Sequence, residues 1–154
     1  MAIRAVVSAG DLDACLYVAR YVSPADGVEI EAASGLSPKE ALRLCYLRSF
    51  RCWQVLCLGE PVFVFGLSRE DWRWVTPWAF STPGVSQMGI AFARGSKQVA
   101  RRLFREYPYM RNWVDARHVK SIAWLAFMGF TLGGPEPYGA HGLPFLPFWH
   151  KEAV

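Results

Sequence analysis

Two groups of residues in this sequence have types and spacing that could do chemistry. The first is Asp115-Ala116-Arg117-His118, followed at a distance by Tyr138. An imidazole changes charge near neutral pH and can move protons, and Asp115 supplies a carboxylate three residues away. Tyr138 stands in a turn-rich stretch that could fold over a cleft. The second group is Arg94-Gly95-Ser96-Lys97. There a small residue, a hydroxyl and two cations open a helical pattern, where backbone N–H groups and the helix dipole favour phosphate. Each group has an ordinary alternative. A lone histidine at a strand–helix junction is more often structural, and a basic helix start needs no ligand. No metal site is expected: Cys15, Cys45, Cys52 and Cys57 form no CxxC pair, and the histidines lie far from them.

Positioning such residues needs a folded core, and the composition provides for one. The chain has 154 residues, 53% hydrophobic and 19% charged, which excludes disorder and suits one domain over residues 1–154. The net charge of +4 is modest for a dedicated nucleic-acid binder. No apolar run approaches the roughly 18 residues of a membrane span, and the N-terminus lacks the apolar run of a signal peptide. Thiols without metal spacing are expected reduced and mostly buried.

The stretch Met110–Phe130 organises the rest. Met110–Ala116 reads as a strand, and Ser121–Met128 as an apolar helix stopped at Gly129. Upstream, Ile3–Val7 reads as a strand, and Ser8 to Asp11 as a capping box opening a helix that Pro24 and Gly27 break. Asp26–Gly35 reads as loop. Ser37-Pro38-Lys39-Glu40 opens a helix to about Ser49. A meander follows: Cys52–Leu58, a Gly59-Glu60 turn, Pro61–Leu67, then Trp72–Phe80, where Pro77 implies a bulge or an edge. Alternation along that last strand puts Trp72, Trp74 and Trp78 on one face. Ser81–Gly89 reads as loop and Lys97–Tyr107 as a helix with a basic side of Lys97, Arg101, Arg102 and Arg105. Phe145–His150 is the last strand. The fold class expected is α/β (α+β): a mixed, mostly antiparallel sheet of about six or seven strands with about four helices.

That element order, with the wording WVDARHVKSIAWLAFMGF, resembles the GNAT acyltransferase fold. More narrowly it resembles GNAT-like proteins of short-tailed bacteriophages, some of them described as internal virion proteins. The resemblance implies acetyl-CoA as cofactor. It also implies a phosphate loop of the form R/Q-x-x-G-x-G/A before the third family helix. Counting from Arg94, the glycine position is Lys97; counting from Gln87, it is Ile90. The family's thiolate acid, a Tyr four residues before the last helix's terminal Gly, is Leu125 here. Its helix-opening Asn is His118, and its Glu on the third strand is absent from Trp72–Phe80. Weak replacements for the chemistry are His118, Asp115 and Tyr138, with Arg94, Gly95, Ser96 and Lys97 for the cofactor.

Three functions are therefore expected, in this order. The first is a phage-encoded protein of the virion or host cytoplasm that acts through contacts with a protein partner. The second is an acetyl-CoA-dependent N-acetyltransferase with atypical catalytic residues. The third is a nucleic-acid binder using Lys97, Arg101, Arg102 and Arg105. No membrane partner is expected.

Overall fold

A computed structural model of the chain describes residues 5–152. Its strands are β1 (Ala5–Ala9), β2 (Ser49–Cys57), β3 (Glu60–Arg69), β4 (Val75–Ser81), β5 (Met110–Asp115), β6 (Thr131–Leu132), β7 (Glu136–Tyr138) and β8 (Leu143–His150). Its helices are α1 (Leu12–Arg20), α2 (Pro24–Ser34), α3 (Pro38–Arg48), α4 (Gly89–Glu106) and α5 (Val119–Met128). All the strands join one sheet in the order β1-β2-β3-β4-β5-β8-β6, with β7 also on β8. Only β4 and β5 pair in parallel. The expected class is thus observed, with eight strands and five helices.

Helices cover both faces. On one, α1 and α3 place Cys15, Val18 and Leu42 against Val64 and Trp78. On the other, α5 places Leu125 and Met128 against Val114 and Phe148. Period-two alternation explains why Cys52 and Cys57 part company: Cys52 packs with the first cluster and Cys57 with Val55 and Phe63 on the opposite face.

Several boundaries differ from the sequence expectations. The cap of α1 is Asp11, whose Oδ1 accepts from Ala14 N at 2.8 Å, so no box starting at Ser8 is used. Residues 1–4, the beginning of the expected first strand, lie outside the described residues. Pro24 does not leave a loop behind it but opens α2 at the first helical position, where its missing N–H costs nothing. The first hairpin turns on Leu58-Gly59, both with positive φ (54° and 81°), one residue earlier than expected. Trp72 precedes β4 and is 84% exposed. It lies in a turn where Asp71 Oδ1 accepts from Arg73 N and Trp74 N, so the tryptophans do not share a strand face.

The feature that shapes the site is the parting of β4 from β5. Their ladder consists of Val75 opposite Met110, beyond which the strands diverge. Pro77 lies in the middle of β4, opposite Leu67 of β3, at neither a bulge nor the sheet's outer edge. Its carbonyl accepts from Asn112 Nδ2 of β5 at 2.7 Å, so its N–H side faces the gap, where no ladder bond is needed.

Candidate functional site

α2 bridges the open end of this gap. Near its N-terminus, Asp26 Oδ2 accepts from Ser81 N at 2.7 Å and from Ser81 Oγ at 3.0 Å, fastening α2 to the end of β4. One turn later Glu29 Oε1 accepts from Asp115 N at 2.7 Å, fastening α2 to the end of β5. The far end of α2 is held by Ala140 N, which donates to the Ala32 and Ala33 carbonyls. Gly139 permits that approach, since a Cβ there would collide with Ala32 O and Ala33.

His118 joins the same cluster from the α5 side. It caps α5, with Nδ1 accepting from Ser121 N at 3.4 Å. Its Nε2 lies 2.7 Å from Asp26 Oδ1 and 3.1 Å from Ser121 Oγ. An acceptor role for Nδ1 places the proton of the neutral ring on Nε2, donated to Asp26. Asp26 and the surrounding carboxylates favour the charged imidazole and raise its pKa. Because Asp26 and Ser121 meet the same ring nitrogen, these residues do not form a nucleophile–base–orienter relay, which needs one partner on each nitrogen.

The expected catalytic residues are placed differently from one another. Asp115 is buried, and its carboxylate is engaged by Arg117, with Nη2 donating to Oδ2 at 2.7 Å and Nε to Oδ1 at 3.0 Å. These bonds hold its carboxyl below the usual range, which makes it a poor proton acceptor at neutral pH. Tyr138 sits in β7, not in a loop, stacked on Trp113 at 4.5 Å; burial raises its phenol pKa. Leu125 is a core residue.

Glu29 has the altered acidity suited to acid–base work. Burial pushes its pKa from an ordinary 4.5 to about 7, with the Asp115 N–H and His118 only partly opposing the shift. Sequence reasoning missed both Glu29 and Asp26 because their segment reads as loop. The signal was present in Ser23-Pro24, a helix opening, and Gly35, which ends α2 with φ 70°. Single donor atoms of Asp26, Glu29 and His118 lie within 4.8 Å of one another, a spacing a cation could bridge. The short Asp26–His118 contact already satisfies two of them.

A cavity of about 650 Å³ runs through the gap. On the α2 side it is lined by Glu29, Trp78 and Tyr138, and Ser121 reaches it from α5. On the α4 side it is lined by Phe63, Met88, Phe92, Val99 and Trp124. Met88, just before α4, makes no side-chain cap, which leaves the first N–H groups of an 18-residue helix available beside the cavity. Trp124 Nε1 is buried without a hydrogen-bond partner among the described residues.

The proposed phosphate residues need correction on one point. Arg94, Gly95, Ser96 and Lys97 do not open a helix; they lie inside α4, which starts at Gly89. Their backbone N–H groups belong to the helix, and Ser96 Oγ donates to the Phe92 carbonyl at 2.7 Å. Gly95 and Ser96 do line the cavity. Arg101, Arg102 and Arg105 are exposed on α4, and Lys97 Nζ lies 4.7 Å from the Phe127 ring. Among the described residues no helix is long and apolar enough to cross a membrane.

No protein-family model and no curated protein matches the sequence. Solved structures do match in shape. A ribosomal-protein α-N-acetyltransferase in complex with coenzyme A superposes with a TM-score of 0.69 at 11% identity, over 96% of this chain and 93% of that one. A GNAT-family acetyltransferase from Bacillus anthracis gives 0.68 at 14%, covering 97% and 95%. A ribosomal-protein-alanine N-acetyltransferase from Brucella melitensis gives 0.68 at 12%, covering 96% and 99%. This chain has the fold of the GNAT acetyltransferases.

Proposed function

We propose that the protein transfers an acyl group from a coenzyme A thioester to an amine, with Glu29 as the general base. The observation that carries this reading is the through-sheet cavity with Glu29 on its wall, its pKa raised to about 7 by burial. A general base works best when its pKa lies near the operating pH.

The residues present fit a coenzyme A thioester. The uncapped start of α4 beside the cavity suits a pyrophosphate. The partnerless Trp124 N–H is a donor for an amide or thioester oxygen. The parted strands β4 and β5 leave room for an extended arm between them. A bound acyl-CoA would supply an activated carbonyl. Glu29, ionised above about pH 7, takes the proton from the attacking amine. His118 and Asp26 hold α2, and so Glu29, across the gap. Tyr138, with its proton retained by burial, lines the same cavity as the candidate acid for the departing thiolate. Arg94 and Lys97, along α4, remain candidates for the outer phosphates.

Turnover is tested by separating free coenzyme A from its acyl thioester chromatographically, since the protein's own four thiols would react with a thiol dye. With an amine panel, kcat/KM should rise with pH about a midpoint near 7. Glu29→Gln should lower it by about 10²–10⁴-fold and flatten the profile. An unchanged rate in that variant would remove Glu29 from the mechanism.

The alternative, a phage protein of the virion or host cytoplasm acting through a protein partner, rests on the sequence resemblance. Nucleic-acid binding by Lys97, Arg101, Arg102 and Arg105 rests on their charge. It would show as affinity falling steeply with salt.

A further inference from the structure

The amphipathic helix α4 covers the sheet loosely. Of its 18 residues only Ala100 is buried, although Phe92, Val99, Leu103 and Phe104 form an apolar stripe. These side chains line the cavity together with Phe65, Leu67 and Met110 of the sheet. The space beneath α4 is therefore a chamber walled by hydrocarbon, continuous with the gap where Glu29 stands. Its inner end lies at the closed apex of the gap, where Val75 meets Met110 and both are buried with Leu67. Just above that apex the Asn112 side chain spans from β5 to the Pro77 carbonyl.

An acetyl group would leave such a chamber nearly empty. A cavity of about 650 Å³ lies in the size range of sites that enclose whole ligands, roughly 300–1,000 Å³. Apolar walls with no facing contacts forgo dispersion energy and favour an apolar occupant. Resting on the transfer reading above, we propose that the acyl group carried by this protein is an apolar chain longer than acetyl, housed beneath α4. The thioester carbon then sits at the level of Glu29 and the chain runs down the gap toward Leu67 and Met110. The transfer forms an amide bond and breaks the carbon–sulfur bond, with the amine's proton passing to Glu29 and coenzyme A leaving as the thiol.

The test compares acetyl-, butyryl- and octanoyl-CoA with one amine acceptor. Each buried methylene should raise kcat/KM about four-fold, the equivalent of about 0.8 kcal/mol, until the chamber is filled. Equal rates, or a preference for acetyl-CoA, would overturn the chain-length proposal and leave the transfer reading standing. If no thioester is turned over, calorimetric binding separates the two ideas. Tighter binding of octanoyl-CoA than of acetyl-CoA keeps the chamber and removes the transfer reading; equal binding removes the chamber. In Leu103→Trp, which puts an indole into the chamber, the octanoyl-to-acetyl ratio should fall at least about ten-fold. An unchanged ratio in the folded variant counts against the proposal. Val99→Phe, a smaller intrusion on the same wall, gives the same reading if Leu103→Trp does not fold.

Discussion

On the α2 side of the gap the packing is polar and closely specified; on the α4 side it is apolar and loose. Asp26, Glu29, Ser81, Asp115 and His118 satisfy one another through bonds of 2.7–3.0 Å. The α4 side offers Phe92, Val99 and Leu103 half-buried over open volume. Hydrogen bonds are directional and costly to leave unmade, so the first arrangement fixes a helix in one position. Dispersion contacts are weak one by one, so the second tolerates vacancy until an apolar ligand fills it. The molecule thus separates rigid positioning of a base from accommodation of a substrate.

The largest effect should come from breaking the polar side. Asp26→Ala removes the acceptor for Ser81 and the partner of His118, and should cost about 3–5 kcal/mol in chemical denaturation, as for other broken buried pairs. A loss below about 1 kcal/mol would show that α2 is not held as described.

A smaller effect, dependent on pH, sharpens the same point. Glu29 has a folded pKa of about 7 against an ordinary 4.5, so the folded state holds a proton that the unfolded state has released. Its contribution is fully present below pH 4.5 and is lost as pH rises to about 7. His118, also raised, adds stability below its ordinary 6.5 that is lost as pH passes its folded value. Melting temperature should therefore fall between pH 5 and pH 8. Glu29→Gln should melt higher than wild type at pH 8 but not at pH 4; a pH-independent difference would exclude this account.

On the apolar side, Leu103→Ala should cost about 2 kcal/mol or less, the low end for core truncations, because its surroundings are already open. A loss near 5 kcal/mol would mean that α4 is packed as tightly as α2. Smallest of all, Arg101→Ala on the exposed face should shift stability by no more than about 0.5 kcal/mol.

The sequence shows local structure better than the site. Ser37 and Pro38 mark α3 because caps act within one turn, and Ser37 Oγ does accept from Glu40 N. His118 and Gly129 bound α5 for the same reason. α2 escapes notice because its apolar residues do not fall on one stripe: Ile30 and Ala32 are buried and Val28 is exposed. Its stability comes from partners far along the chain. Glu29 meets a residue 86 positions away and Asp26 one 92 positions away, distances at which no local pattern operates. The start of α4 was misplaced because its first turns lack a side-chain cap.

Pro77 has a consequence beyond its place in the strand. Two neighbouring strands with free polar edges will zip together unless something prevents it, as happens between molecules at exposed sheet edges. Pro77 puts a missing donor on the inner edge of β4, where closure of the gap would begin, and Asn112 occupies the carbonyl beside it. The opening is thus protected by a covalent property of the chain and does not depend on a ligand to wedge it apart.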